Sequence, residues 1–106
     1  MKKIIFLLTS ISFFTFAQTN LSVTNINSND VTLNWDNGGC TAGNYLLRYK
    51  EDISGSSWSS TTTISNTGGS QNYILSGLNA NTTYIWRIKC GNSGSWVYGT
   101  NFTTNI

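Results

Sequence analysis

Four carboxylates, two cysteines and a large complement of Ser and Thr hydroxyls are the groups in this 106-residue chain best suited to covalent or acid–base chemistry, and histidine is absent. A nucleophilic serine needs a base to take its proton, yet no G-x-S-x-G turn and no imidazole is present to activate one. Glycoside hydrolysis can run on two carboxylates alone. Here Asp30 and Asp36 bracket one expected strand while Glu51 and Asp52 sit side by side on a turn, so neither pair faces across a recognisable cleft. The same acidic residues are too scattered for a calcium loop, and two cysteines without histidine make a poor metal set. No catalytic, cofactor-binding or metal residue is therefore expected, and the chain reads as something other than an enzyme.

The N-terminus carries an address. Met1-Lys2-Lys3 is a positive n-region, residues 4–16 form an apolar run, and Thr15-Phe16-Ala17 offers small residues for a cut before Gln18. Residues 1–17 read as a secretory signal peptide. Their run is shorter than the roughly 20 apolar residues a spanning helix needs, and no cysteine follows Ala17 to carry a lipid. The expected product is residues 18–106, secreted to the periplasm or beyond, with no membrane insertion after cleavage. Export also decides the reading of Cys40 and Cys90. Thiols tend to oxidise in such compartments, no C-x-x-C spacing suggests redox work, and a Cys40–Cys90 disulfide is expected. Closing a loop of about fifty residues would restrict the unfolded chain by roughly 4 kcal/mol in the entropic account.

Once Lys2 and Lys3 leave with the signal peptide, Arg48, Lys50, Arg87 and Lys89 balance Asp30, Asp36, Glu51 and Asp52. A neutral chain with so few charges lacks the dense cationic surface that phosphate contacts demand, so nucleic acid is not an expected partner. The four cations fall on the outward phase of what should be neighbouring strands, forming a short basic ladder. A solvated sheet face with modest cross-strand pairing accounts for such a ladder; an acidic polysaccharide or protein partner is the alternative.

Aromatic residues offer the other candidate surface. Trp35 and Trp86 alternate with apolar neighbours and belong to the core. Trp58 lies in a Ser-rich segment near an edge, and Trp96 and Tyr98 follow the final loop, so these three are the candidate ligand platform. Flat aromatic side chains give wide contact area at low entropic cost, although small sandwiches also cover their sheet ends with such residues.

The elements that must position these residues are strands. Apolar residues recur with a period of two, the mark of half-buried strands. Leu21, Val23 and Ile26 suggest the first strand; Val31, Leu33 and Trp35 the second, broken by Asp36-Asn37-Gly38-Gly39. Tyr45, Leu47 and Tyr49 mark the third, Trp58 to Ile64 the fourth, and Tyr73 and Leu75 the fifth. The sixth carries Tyr84, Trp86, Ile88 and Cys90 on one face and Ile85, Arg87 and Lys89 on the other. A seventh runs from about Trp96 to Thr104. No helix and no internal repeat is expected over residues 18–106. Leu78, six residues before Tyr84 at the mouth of an alternating strand, is the shape of a tyrosine corner, in which the phenol hydroxyl bonds to the upstream backbone.

Asp30-Val31-Thr32-Leu33-Asn34-Trp35, the spaced aromatics of Tyr45-Leu46-Leu47-Arg48-Tyr49, and Tyr73-Ile74-Leu75-Ser76-Gly77-Leu78 through Tyr84 together resemble a fibronectin type III domain. Lys89-Cys90-Gly91, Ser95-Trp96 and Phe102-Thr103-Thr104 are similar to a cysteine-bearing variant found in secreted bacterial proteins. The resemblance spans residues 19–105 and implies an all-β, seven-stranded antiparallel immunoglobulin-like sandwich. It further implies a non-catalytic module that binds an extracellular protein or glycan, or else a passive spacer or fragment of a larger secreted multidomain protein. The chain departs from the family by lacking proline altogether and placing Ala80-Asn81 at the corner, where Asn81 can still take a left-handed conformation so that the turn survives, and the edge strands lack one of the usual guards against strand addition. No Arg-Gly-Asp occurs between Gly91 and Ser95, which argues against integrin-type adhesion.

Overall fold

The computed structural model describes residues 18–106; the expected signal peptide over residues 1–17 lies outside them. Eight strands follow in order: β1 (Thr19–Thr24), β2 (Val31–Asp36), β3 (Asn44–Glu51), β4 (Thr62–Ser65), β5 (Ser70–Leu75), β6 (Thr83–Cys90), β7 (Val97–Tyr98) and β8 (Phe102–Thr103). All pairings are antiparallel. One sheet has the order β1-β2-β5; the other runs β4-β3-β6-β7, with β8 also paired to β6. The architecture is a two-sheet β-sandwich, and no helix occurs among the described residues.

Strict alternation builds the core. In β2 and β6 every second residue is buried, because successive side chains point to opposite faces of a pleated strand. The inward set, Val31, Leu33, Trp35, Tyr45, Leu47, Trp86 and Ile88, is excluded from solvent almost completely. Trp35 meets Tyr45 edge-on at 5.4 Å and Trp86 at 6.4 Å between ring centroids, so the rings of the two sheets lock across the interior.

Each pole is closed by a different device. At one, the Tyr84 hydroxyl accepts the backbone N–H of Asn79 at 2.9 Å, the bond expected of a tyrosine corner. Asn81 takes the left-handed conformation there, with φ of 50°, which an asparagine tolerates better than most residues. The buried Thr104 joins the same pole: its hydroxyl donates to the Asn79 carbonyl at 2.7 Å and accepts the Thr82 N–H at 2.9 Å. At the other pole Cys40 and Cys90 form a disulfide across a sequence separation of 50. Around it the Asn37 and Asn66 amides both donate to the Cys40 carbonyl, and the Tyr45 hydroxyl lies between their two side-chain oxygens. Burial pushes the Tyr45 phenol above its ordinary 10.0, and the nearby Trp35 side chain pulls it part of the way back.

Three elements differ from the sequence expectation. The expected last strand is divided into β7 and β8, making eight strands rather than seven. The cause is Gly99: a Cβ there would stand 2.1 Å from a Trp86 ring carbon. The backbone crosses the indole edge at this point, and the Thr100 carbonyl accepts the Trp86 ring N–H at 2.9 Å instead of a ladder bond. The fourth strand starts at Thr62 rather than Trp58, since Ser59 is diverted. Its N–H donates to the Tyr49 carbonyl and its hydroxyl accepts the Tyr49 N–H, so one residue takes both free backbone groups of Tyr49 and the chain before it swings out of the strand. Finally, β1 ends at Thr24, which leaves Ile26 in the following loop.

Candidate functional site

The candidate surface is the outer face of β3, β6 and β7. Register pairs Arg48 of β3 with Arg87 of β6, and Arg87 in turn with Tyr98 of β7, so three long side chains stand in one row across the sheet. Lys50 and Lys89 lie diagonally on either side of that row, opposite Ile85 and Leu46 respectively. Alternation requires these positions to point outward, because Tyr45, Leu47, Trp86 and Ile88 between them face the core.

Aromatic rings fill the spaces between the cations. The Arg87 guanidinium sits 4.0 Å from the Trp58 ring centroid and 4.3 Å from that of Trp96. Lys50 lies 4.9 Å from Trp58 and Lys89 lies 4.8 Å from Trp96. The chain of contacts Lys50–Trp58–Arg87–Trp96–Lys89 is therefore continuous. Tyr98 meets Trp58 edge-on at 6.1 Å and its hydroxyl accepts from Arg87 at 3.2 Å, while Arg48 Nε donates to the Thr61 hydroxyl at 2.9 Å. Cations over indole faces are attracted by the ring quadrupole by about 0.5–1 kcal/mol each at exposed sites.

The carboxylates take neutral partners. Asp36 accepts from Asn20 and Ser70, Asp30 from Asn27, Glu51 from Asn79 and Asp52 from Asn101. The acids thus bond to neutral amides and hydroxyls, and the bases to rings and hydroxyls. Although the charges of residues 18–106 cancel, the charged residues at the outward positions of β3 and β6 are all cations, with Glu51 and Asp52 following directly after Lys50 at the end of β3.

The structure brings Trp58, Trp96 and Tyr98 together, and it merges them with the basic ladder, which the sequence presented as a separate feature. Trp58 reaches this face from the loop before β4 because Ser59 anchors that loop to Tyr49. The rings do not form a bare platform: Trp58 and Trp96 are half-buried under cations, and Tyr98 is the most open, with 57% of its surface exposed. The Arg87 Nε is buried without a hydrogen-bond partner, and one of its terminal nitrogens donates to Tyr98. Sequence reasoning did not anticipate the interleaving. The one signal for it was shared phase: Arg48, Arg87 and Tyr98 all occupy outward positions of adjacent strands.

Among the described residues, no group of three or more His, Cys, Asp or Glu side chains could hold a metal ion, and no helix is long and apolar enough to cross a membrane.

Two antiparallel sheets, a tyrosine corner and an inter-sheet core of Trp35 and Trp86 define a fibronectin type III-like β-sandwich. Solved structures agree. A computationally redesigned β-sandwich protein is 25% identical over 87% of this chain and 92% of its own, with a TM-score of 0.67. The FN5 domain of Drosophila Lar is 13% identical over 88% of this chain and 99% of its own, also with a TM-score of 0.67, a likeness of fold. Residues 16–104 match the family described as purple acid phosphatase, N-terminal domain, and the chain belongs to that family. No curated protein matches the sequence.

Proposed function

We propose that residues 18–106 act as a non-catalytic interaction module of an exported protein, holding an extracellular protein or carbohydrate on the outer face of β3, β6 and β7. The observation that carries this reading is the concentration there of four cations and three aromatic rings, with every carboxylate bonded to a neutral group. Export is supported by the sequence of residues 1–17 and by the Cys40–Cys90 disulfide, since small disulfide-bonded domains belong to oxidising compartments. The absence of histidine and the neutral partners of all four acids support a role without turnover.

A second reading, a passive spacer within a larger exported protein, is favoured by the family, whose name places such a domain at the N-terminal end of a phosphatase. The two part on one experiment. Residues 18–106 are tested against arrays of glycans and extracellular proteins, beside the Tyr98→Ala variant. A saturable hit that the variant loses while keeping its thermal stability is the expected result. Flat arrays would overturn the module reading and leave the spacer.

A further inference from the structure

The outer face of β3 and β6 spends part of its free energy on a like-charge contact. Arg48 and Arg87 are directly opposite one another in register, the arrangement that destabilises a cross-strand pair. Their stacking on Trp96 and Trp58 lessens that repulsion without neutralising it. A guanidinium stacked on a ring keeps its in-plane N–H groups free, and that fork matches the two oxygens of a carboxylate or a sulfate. Of the Arg87 donors, one reaches the Tyr98 hydroxyl and the buried Nε has no partner. That leaves the second terminal nitrogen to meet an anion.

The cations also form a line. Lys50 stands opposite Ile85, four residues before Lys89 on β6, so the stripe from Lys50 through the Arg48–Arg87 pair to Lys89 runs about 13 Å at the usual rise of a strand. Hydroxyls of Thr61 and Tyr98 flank the central pair. Resting on the module reading above, we infer that this stripe binds a linear polysaccharide bearing carboxylate or sulfate groups, with Arg48 and Arg87 sharing one acidic group and Lys50 and Lys89 holding its neighbours along the chain.

The surroundings favour this occupant over two others. A protein partner packs a well-desolvated central cluster, yet the two indoles here are already covered by Arg87, and of the exposed large hydrophobic residues, Ile26, Ile53, Ile74, Tyr98 and Ile106, only Tyr98 belongs to the strands of this face. A single-stranded nucleic acid needs open ring faces for its bases, and the Arg87 guanidinium lies over both Trp58 and Trp96. A sugar acid asks only for the fork, the ammonium groups and the hydroxyls.

The test is calorimetric titration of residues 18–106 with polygalacturonate, dextran sulfate, neutral dextran and a single-stranded polythymidylate, at several salt concentrations. Saturable binding to one or both acidic polysaccharides is expected, and which of the two responds tells carboxylate from sulfate. The affinity should fall steeply as salt rises, as it does when bound cations displace counterions. The Lys50→Gln/Lys89→Gln variant, whose melting curve checks that it still folds, should bind at least tenfold more weakly. Arg48→Gln, which removes one member of the opposed pair, should lose binding while its stability holds or rises. The inference is overturned by equal binding to neutral dextran, by tighter binding to polythymidylate, by variants that bind as well as the parent, or by no binding to either acidic polymer. A neutral-glycan or protein hit still lost in Tyr98→Ala would sink the acidic-polysaccharide assignment and leave the module reading standing.

Discussion

Trp35 and Trp86 inside the sandwich, and Trp58 and Trp96 on its outer face, are the same residue type in two settings, and they differ in what meets the ring. Inside, ring meets ring: Trp35 packs on Tyr45 and Trp86, and the Trp86 N–H is taken by the Thr100 carbonyl. Outside, ring meets cation, and Arg87 touches both indoles. Inner contacts exclude water and carry stability. Outer contacts stay half open, are worth little to the fold, and leave charged groups positioned for something else. Substitutions in the two regions should therefore separate loss of folding from loss of binding.

The largest effect is expected inside. Trp86→Ala removes a side chain with no exposed surface and should cost about 3–5 kcal/mol, read as a lower urea midpoint or as failure to fold. A small loss would mean the core is far more tolerant than its geometry. Replacing Cys40 and Cys90 together by Ala should cost about 2–5 kcal/mol, and the oxidised parent should lose a similar amount when reductant is added. Gly99→Ala tests the close crossing over Trp86. Its Cβ would meet a rigid ring rather than a flexible chain end, so about 1–3 kcal/mol of destabilisation is expected. A neutral result would show that β7 and β8 can move apart freely.

Alkaline pH probes the inner layer without mutation. Burial raises the folded-state pKa of Tyr45 above the 10.0 of the exposed phenol, so the unfolded chain gives up its proton first. That contribution is fully present below pH 10 and is lost as the pH rises through the folded pKa. The melting temperature should fall on going from pH 9 to about pH 11, and the Tyr45→Phe variant should show a shallower fall. Trp58→Ala is the smallest change. Two cations lie over its ring, so it should alter stability by about 1–2 kcal/mol while disturbing Arg87, read as a loss of ligand affinity with only a small drop in melting temperature. A destabilisation as large as that of Trp86→Ala would erase the distinction between the two aromatic sets.

Most of the sandwich was readable from local pattern. The alternation of Val31, Leu33 and Trp35 and of Tyr84, Trp86, Ile88 and Cys90 states which residues face inward, because a strand has a period of two wherever it lies. The spacing from Leu78 to Tyr84 announced the corner, and two cysteines allow one pairing. The division of the last strand was less visible. Gly99, an isolated glycine within an apolar and aromatic run, was the available sign of a close backbone approach, but only the position of Trp86 gives that glycine its meaning.

The candidate site was legible as parts and not as a whole. Trp58, Trp96 and Tyr98 could be named as incompletely buried aromatics, and Arg48, Lys50, Arg87 and Lys89 as outward cations. Their meeting depends on the β3–β6 register and on Ser59 turning the loop so that Trp58 lies over Arg87, contacts between residues far apart in the chain. The amino-acid sequence by itself determined most of the strands and their inward faces, the disulfide and the corner, because each follows from short-range stereochemistry or from residue count. Only the tertiary structure decided that rings and cations share one surface and that Arg48 opposes Arg87, because pairing across strands is a long-range choice that no local period encodes.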